Sequence, residues 1–195
     1  MEIYLIRHGK TKGNLEKRYV GRTDEALLEE SCRQLKRIGG MLRDVQLVYT
    51  SRMKRCRQTA QILFPKQNIL IWNGLEETDF GDFEYRTYHE LKDLQAYRSW
   101  IDSIGLGDIP HGESGSDFRV RCQNSFLECL RDAAERKLSR IGIVAHGGTI
   151  MSVMEKFSAQ QKDFYFWQAA NGGGYLAVWD ENVKDVRLQV KMKLE

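Results

Sequence analysis

The chain of 195 residues carries 30 Lys and Arg against 27 Asp and Glu, a formal net charge of +3, and 42% of it is hydrophobic. That length and apolar share suit a single domain, expected over residues 1–195, and so small a net charge points neither to nucleic acid nor to a membrane surface. The start lacks the basic and long apolar regions of a signal peptide, and no apolar run approaches the ~20 residues of a membrane-spanning helix, so a cytoplasmic protein is expected.

The first apolar run, Ile3-Tyr4-Leu5-Ile6, predicts a strand buried on both faces, as in the middle of a parallel sheet. Arg7 and His8 stand at its end, and Gly9 and Gly13 allow a tight turn and a close approach to a ligand. A polar connection follows, then a helix from about Glu25 to Leu42, with Leu27, Leu28, Leu35, Ile38 and Leu42 on its apolar side. Val45 to Tyr49 predicts a second strand, and Thr50-Ser51 is the expected cap of a helix running through Phe64 until Pro65 stops it. The run Arg52, Lys54, Arg55, Arg57 reads by itself as a solvated basic face or a nucleic-acid contact, and helical periodicity does not choose among its arginines.

Ile69 to Trp72 is the third strand expected, leading into an acidic loop, Leu75 to Glu84, with five carboxylates in nine residues. Tyr85 to Trp100 reads as a helix rich in aromatics, and Ile104 to Pro110 as the most loop-like stretch, so a small helical cap is expected over about residues 85–110. His111 is a lone loop histidine. Ser114 can cap a helix to about Leu138, with Phe118, Val120, Cys122, Phe126, Cys129 and Leu130 on its buried side. Ile141 to Ala145 predicts another buried strand, which runs into His146-Gly147-Gly148, and a helix is expected from Thr149 to about Phe157. Asn171-Gly172-Gly173-Gly174 opens a hairpin of Tyr175 to Trp179, a turn at Asp180-Glu181-Asn182, and Val186 to Met192 in alternation. The four cysteines have neither C-x-x-C spacing nor a neighbouring histidine, so reduced thiols are expected rather than a zinc site. Alternating strands and helices predict a three-layer α/β/α sandwich with a largely parallel central sheet.

Two buried strands therefore end in His-Gly. In an open α/β sheet the ligand crevice lies outside the carboxyl ends of the strands, so neighbouring strands of this kind aim both imidazoles at one point. Arg7-His8-Gly9-x-Thr11-x-x-Asn14, Ser51-x-x-x-Arg55-x-x-Gln58-Thr59-Ala60, Leu75-x-Glu77-x-x-x-Gly81, Pro110-x-Gly112-Glu113-Ser114 and Ala145-His146-Gly147-Gly148 follow in order along nearly the whole chain. This pattern resembles the histidine phosphatase superfamily, the phosphoglycerate-mutase-like proteins. The departures from that pattern include Leu28 in place of a threonine at a helix start, Lys10 in place of glutamate, and Arg52 and Cys56 in the second motif.

The resemblance implies a phosphoglycerate-mutase-like fold and a phosphomonoesterase that needs no metal and no cofactor and acts on a small-molecule phosphate ester. It implies His8 as the nucleophile, Glu77 as general acid and base, and Arg7, Asn14, Arg55, His146 and Gly147 around the phosphate. Glu76 is the alternative acid if the register of the acidic loop is off by one. Phe80-Gly81-Asp82-Phe83-Glu84-Tyr85-Arg86 and the Trp100-containing cap are most similar to the α-ribazole-phosphate phosphatases of cobalamin assembly, which implies α-ribazole 5′-phosphate or adenosylcobalamin 5′-phosphate as substrate. The alternatives are a sugar- or glycerate-phosphate phosphatase or mutase of the same superfamily, and a non-catalytic phosphate-binding regulator. Neither nucleic acid nor a membrane is an expected partner, and the oligomeric state is left open.

Overall fold

The computed structural model describes residues 1–40, 42–180 and 185–195. Its strands are β1 (Glu2–Arg7), β2 (Leu47–Thr50), β3 (Asn68–Ile71), β4 (Arg140–Ala145), β5 (Gly174–Trp179) and β6 (Leu188–Leu194), joined in one sheet of order β3-β2-β4-β1-β5-β6. The pairs β1 with β4, β2 with β4 and β2 with β3 are parallel, and β5 is antiparallel to both β1 and β6. The helices are α1 (Lys12–Leu15), α2 (Glu29–Gly39), α3 (Lys54–Leu63), α4 (Tyr88–Leu91), α5 (Gln95–Asp102), α6 (Gly115–Glu135) and α7 (Gly147–Phe157).

The two-residue period of β1 sorts its side chains between two cores. Ile3 and Leu5 pack with Ile141 and Ile143 of β4 against Phe126 and Ile150 from α6 and α7. Tyr4 and Ile6 face the opposite way, with Val144, against Leu35, Ala60 and Phe64 on the α2 and α3 side. Each fully buried side chain of this size contributes about 1.5–3 kcal/mol, which makes the two faces of the sheet the main source of stability. The expected three layers follow. Among the described residues no helix is long and apolar enough to cross a membrane.

One consequence of this order positions the site. β1 and β4 are neighbours in a register that pairs Arg7 with Ala145, so His8 and His146 leave the sheet at the same level. The His8 N–H donates to the Ala145 carbonyl at 2.9 Å and ties the two exits together.

Several boundaries differ from the sequence reading for local reasons. α2 starts at Glu29 rather than near Glu25, because Leu28 at its cap offers no side-chain acceptor and Leu27 is held in a bridge to Thr11. α3 is capped by Met53, not by Thr50-Ser51: Thr50 completes β2, and Ser51 Oγ instead accepts from the Met53 N–H at 3.3 Å. The helix expected from Tyr85 to Trp100 is two shorter ones. Tyr85 has φ of 58°, in the left-handed region where no right-handed helix begins, and Thr87 forms a capping box with Glu90 that starts α4. Ser114 does cap α6, accepting from the Asp117 N–H at 3.1 Å, but Val120 is 55% exposed because it faces away from the Phe118, Cys122 and Phe126 stripe. β5 and β6 form the expected hairpin strands; of its turn, Glu181 and Asn182 lie outside the described residues. All four cysteines are free. Leu91, Tyr97, Trp100 and Ile109 of the expected cap build a small core together with Phe80 and Phe83 of the acidic loop.

Candidate active site

His8 is 4% exposed, and its Nδ1 lies 2.7 Å from the carbonyl oxygen of Gly9. A carbonyl only accepts, so Nδ1 carries the proton and the lone pair is left on Nε2, the nitrogen on the far side of the ring. Burial, with Arg55 and then Arg7 beside it, holds the imidazole well below its usual value of 6.5. The ring is therefore neutral at pH 7, with a free lone pair. Those are the two requirements of a nitrogen nucleophile.

Arg55 is wholly buried in the first turn of α3. Its Nη1 donates to Thr23 O at 2.8 Å, its Nη2 to Gly21 O at 2.7 Å and Val20 O at 3.3 Å, and its Nε to His146 Nδ1 at 3.3 Å. Arg7 donates from Nη1 to Ala169 O at 2.7 Å, while its buried Nε has no partner. Burial draws its guanidinium down from the ordinary value, against the opposing pull of Glu77. Neither arginine has a carboxylate within ion-pair distance among the described residues. Two guanidinium groups with no carboxylate at ion-pair distance form a place for an anion.

His146 is also fully buried, with its ring centroid 5.2 Å from that of His8. Its Nδ1 accepts from Arg55, so its Nε2–H donates to Ser51 Oγ at 3.0 Å, and Cys56 Sγ lies 3.4 Å from the same nitrogen. Burial, Arg55, His8 and Arg7, in that order, hold this ring well below its usual value too. Burial likewise pushes the Cys56 thiol up, which leaves it an inert neighbour.

These side chains meet at a cavity of about 580 Å³. Arg7, His8, Asn14, Glu77 and Gly147 line it, while Arg55 and His146 lie behind them. Asn14 Oδ1 is committed to the Thr11 N–H and to Asn171 Nδ2 at 3.2 and 3.1 Å, so its own amide N–H groups remain for a ligand. Glu77 reaches the start of α7, where its Oε2 accepts from the Gly148 N–H at 3.0 Å and its Oε1 from the Thr78 N–H at 3.1 Å. A Cβ at Gly148 would stand 2.3 Å from Glu77 Oε1, so only glycine admits the carboxylate there. Glu76 turns the other way, towards Arg52 at 3.4 Å and the Gly74 N–H at 2.6 Å, and does not line the cavity. Among the described residues no group of three or more His, Cys, Asp or Glu side chains could hold a metal ion.

The walls were less legible. Of the four aromatics in the expected cap helix, Tyr85, Tyr88, Tyr97 and Trp100, only Trp100 lines the cavity: Tyr97 is 2% exposed in the cap core, Tyr85 donates its hydroxyl to Glu25, and Tyr88 points outwards at 55% exposure. The other aromatic walls are Tyr19, Phe80, Phe118, Phe164 and Tyr165. The run Phe164-Tyr165-Phe166-Trp167 was the one sequence signal for the last two. Arg18 and Arg119 also reach the cavity, but both are paired, Arg18 with Glu16 at 2.6 Å and Arg119 with Glu155 at 2.8 Å. Arg119 in addition lies over the Phe164 ring, 4.0 Å from its centroid.

A family model for the histidine phosphatase superfamily (branch 1) matches residues 3–190. Phosphoglycerate mutase-like protein 4 of Arabidopsis thaliana is 32% identical over 164 residues, covering 80% of this chain and 70% of that protein. Among solved structures, a candidate alpha-ribazole-5′-P phosphatase from Escherichia coli K-12 superimposes with a TM-score of 0.88 at 20% identity, over 100% of this chain and 96% of that one. The alpha-ribazole phosphatase from Shigella flexneri gives 0.83 at 24% identity, over 96% and 95%. The two structures share the fold, and the family match together with the Arabidopsis relative fixes the membership: the chain belongs to the histidine phosphatase superfamily, branch 1, and is an enzyme of the histidine-phosphatase type.

Proposed function

We propose that this chain hydrolyses phosphate monoesters without a metal, through a phosphohistidine on His8, as a single catalytic unit capped by residues 85–110. The observation that carries the reading is the neutral His8 ring, its proton held by Gly9 O and its lone pair free on Nε2, beside two guanidinium groups that carbonyls hold and no carboxylate approaches within ion-pair distance. His8 Nε2 attacks phosphorus, and the bond to the leaving oxygen breaks as a protonated Glu77 supplies that oxygen with a proton. Water then attacks the phosphohistidine, Glu77 takes its proton, and the P–N bond breaks to restore neutral His8. Arg7 and Asn14 hold the phosphoryl oxygens from the cavity side, with Gly147 at the start of α7 beside them. Arg55 and His146 act from behind, where Arg55's charge lies close to the charge that grows on those oxygens. Quenching with labelled substrate is expected to leave acid-labile phosphate on His8. Label on another residue, or none, would overturn the covalent step.

For the substrate we infer α-ribazole 5′-phosphate, or the related adenosylcobalamin 5′-phosphate. Support comes from the aromatic walls, since a flat benzimidazole offers a face to Tyr19, Trp100 or Tyr165 and such stacking is worth roughly 1–3 kcal/mol per base. It also comes from Arg18 and Arg119, whose charges at the wall are already offset by Glu16 and Glu155. The Escherichia and Shigella proteins lend their names to this reading, and the mutase-like Arabidopsis relative favours phosphoglycerate instead. Turnover decides between them. The kcat/KM for α-ribazole 5′-phosphate is expected to exceed that for 3-phosphoglycerate at least about tenfold, the equivalent of 1.4 kcal/mol. Equal or faster use of phosphoglycerate would leave only the phosphatase.

A further inference from the structure

Glu77 sits in a stretch with no regular structure, between the end of β3 and the short turn at Gly81–Phe83. The carbonyls of such a stretch need partners, and where they find them decides where the carboxyl can be. One side chain supplies three of them. Arg121, in α6, donates from Nη1 to Gly74 O at 3.0 Å and Glu76 O at 3.1 Å, and from Nη2 to Glu77 O at 3.4 Å. The other edge of the same guanidinium is gripped by Glu113, with Nε to Oε1 at 2.7 Å and Nη2 to Oε2 at 2.6 Å. Glu113 is itself joined to the acidic loop, its N–H donating to Asp79 O at 3.0 Å. From the α7 side, Thr149 Oγ1 adds contacts to Leu75 O and Glu76 O at 3.3 and 3.2 Å.

Neither Arg121 nor Glu113 lines the main cavity. Both line a smaller cleft of about 170 Å³, which Glu76 also lines, while Glu77 borders both this cleft and the main cavity. They cannot touch a substrate held at His8, so any effect they have on the reaction passes through the loop. We propose that the Arg121–Glu113 pair is a positioning device for Glu77, fixing the main chain of the acidic loop so that the carboxyl meets the leaving oxygen. The proposal rests on the acid role given to Glu77 above. Lysine cannot replace the arginine, because a single ammonium cannot hold a bidentate carboxylate on one edge and three carbonyls on the other.

A positioning role and a merely structural one differ in which substrates they affect. An alkoxide needs the proton from Glu77 far more than a nitrophenolate does. Arg121→Lys is therefore expected to lower kcat/KM for alkyl phosphates by about 10- to 100-fold, the scale on which a displacement near 1 Å acts, with a much smaller loss on 4-nitrophenyl phosphate. Glu113→Gln, which keeps its size and one acceptor oxygen, is expected to show the same selectivity more mildly and serves if the lysine variant folds poorly. In a Glu77→Gln background Arg121→Lys should add little further loss, because both act through one carboxyl. Equal losses on both substrate classes, or full additivity with Glu77→Gln, overturn the positioning role while leaving Glu77 as the acid. If Glu77→Gln itself fails to discriminate alkyl from nitrophenyl esters, the acid role falls and the positioning role falls with it.

Discussion

Arg7 at the floor of the cavity and Arg55 behind it have no carboxylate within ion-pair distance among the described residues, whereas the arginines on the walls, Arg18 and Arg119, are already held by glutamates. His8 and His146 leave two neighbouring strands at one level and are buried. The walls come from loops, the cap, the start of α6 and a short turn near Phe164, and present rings. Both guanidinium groups are held by carbonyls and neither by a carboxylate at ion-pair distance, so their positive charge is left for an anion that arrives from outside. The wall arginines leave no such charge. Charge chemistry is confined to the floor, and the walls sort substrates by shape and apolar area.

The sharpest way to break this contrast is at the floor. His8→Ala is expected to lower phosphomonoester turnover by about 10⁴-fold or more, as removal of a nucleophile does, with the fold intact by circular dichroism. Activity within a hundredfold of the native protein would move the chemistry elsewhere. The floor also has a signature in stability. His8 and His146 are held well below 6.5 in the folded chain, so below that pH the unfolded chain takes up protons that the folded chain refuses. Stability from these rings is complete above about pH 6.5 and falls on acidification, by up to about 1.4 kcal/mol per pH unit for each ring. Urea midpoints between pH 7.5 and 5.5 should show the fall, and His8→Asn should flatten it by one ring's share; an unchanged slope would remove His8 from the buried neutral pair.

At the walls the expected effects are smaller and selective. Trp100→Leu or Tyr165→Ala should cut kcat/KM for α-ribazole 5′-phosphate about tenfold, with a lesser loss on 3-phosphoglycerate, which has no ring to stack. A uniform loss on both would mean that the walls merely hold the cap in place. Outside both regions, Leu28→Thr should supply the cap that α2 lacks and raise stability by about 1 kcal/mol in urea unfolding, with no change in activity.

The same division explains what could be read from the sequence. Ile3 to Ile6 and Ile141 to Ala145 are continuous apolar runs, and buried parallel strands must read that way, so the ends that carry His8 and His146 were legible from the start. Arg55 could not be told from Arg52 or Arg57 by periodicity; its burial comes from carbonyls at Val20, Gly21 and Thr23, distant in sequence, and only the family pattern singled it out. Tyr19, Phe164 and Tyr165 escaped because a wall made of loops is defined by tertiary packing, which leaves no period in the chain. The cap helix was misread at Tyr85 for a related reason: its left-handed backbone depends on a main-chain bond from its N–H to Tyr19 O, a contact invisible to local propensity.

The bond from His8 Nδ1 to the Gly9 carbonyl has an evolutionary reading. Many catalytic histidines are oriented by a carboxylate elsewhere in the chain, and a single substitution there can flip the tautomer and silence the enzyme. Here the acceptor is the main chain of the very next residue, which no side-chain substitution can delete. The protonation pattern of the nucleophile is thereby inherited with the backbone trace, leaving the surrounding positions free to drift towards new substrates without disarming the ring.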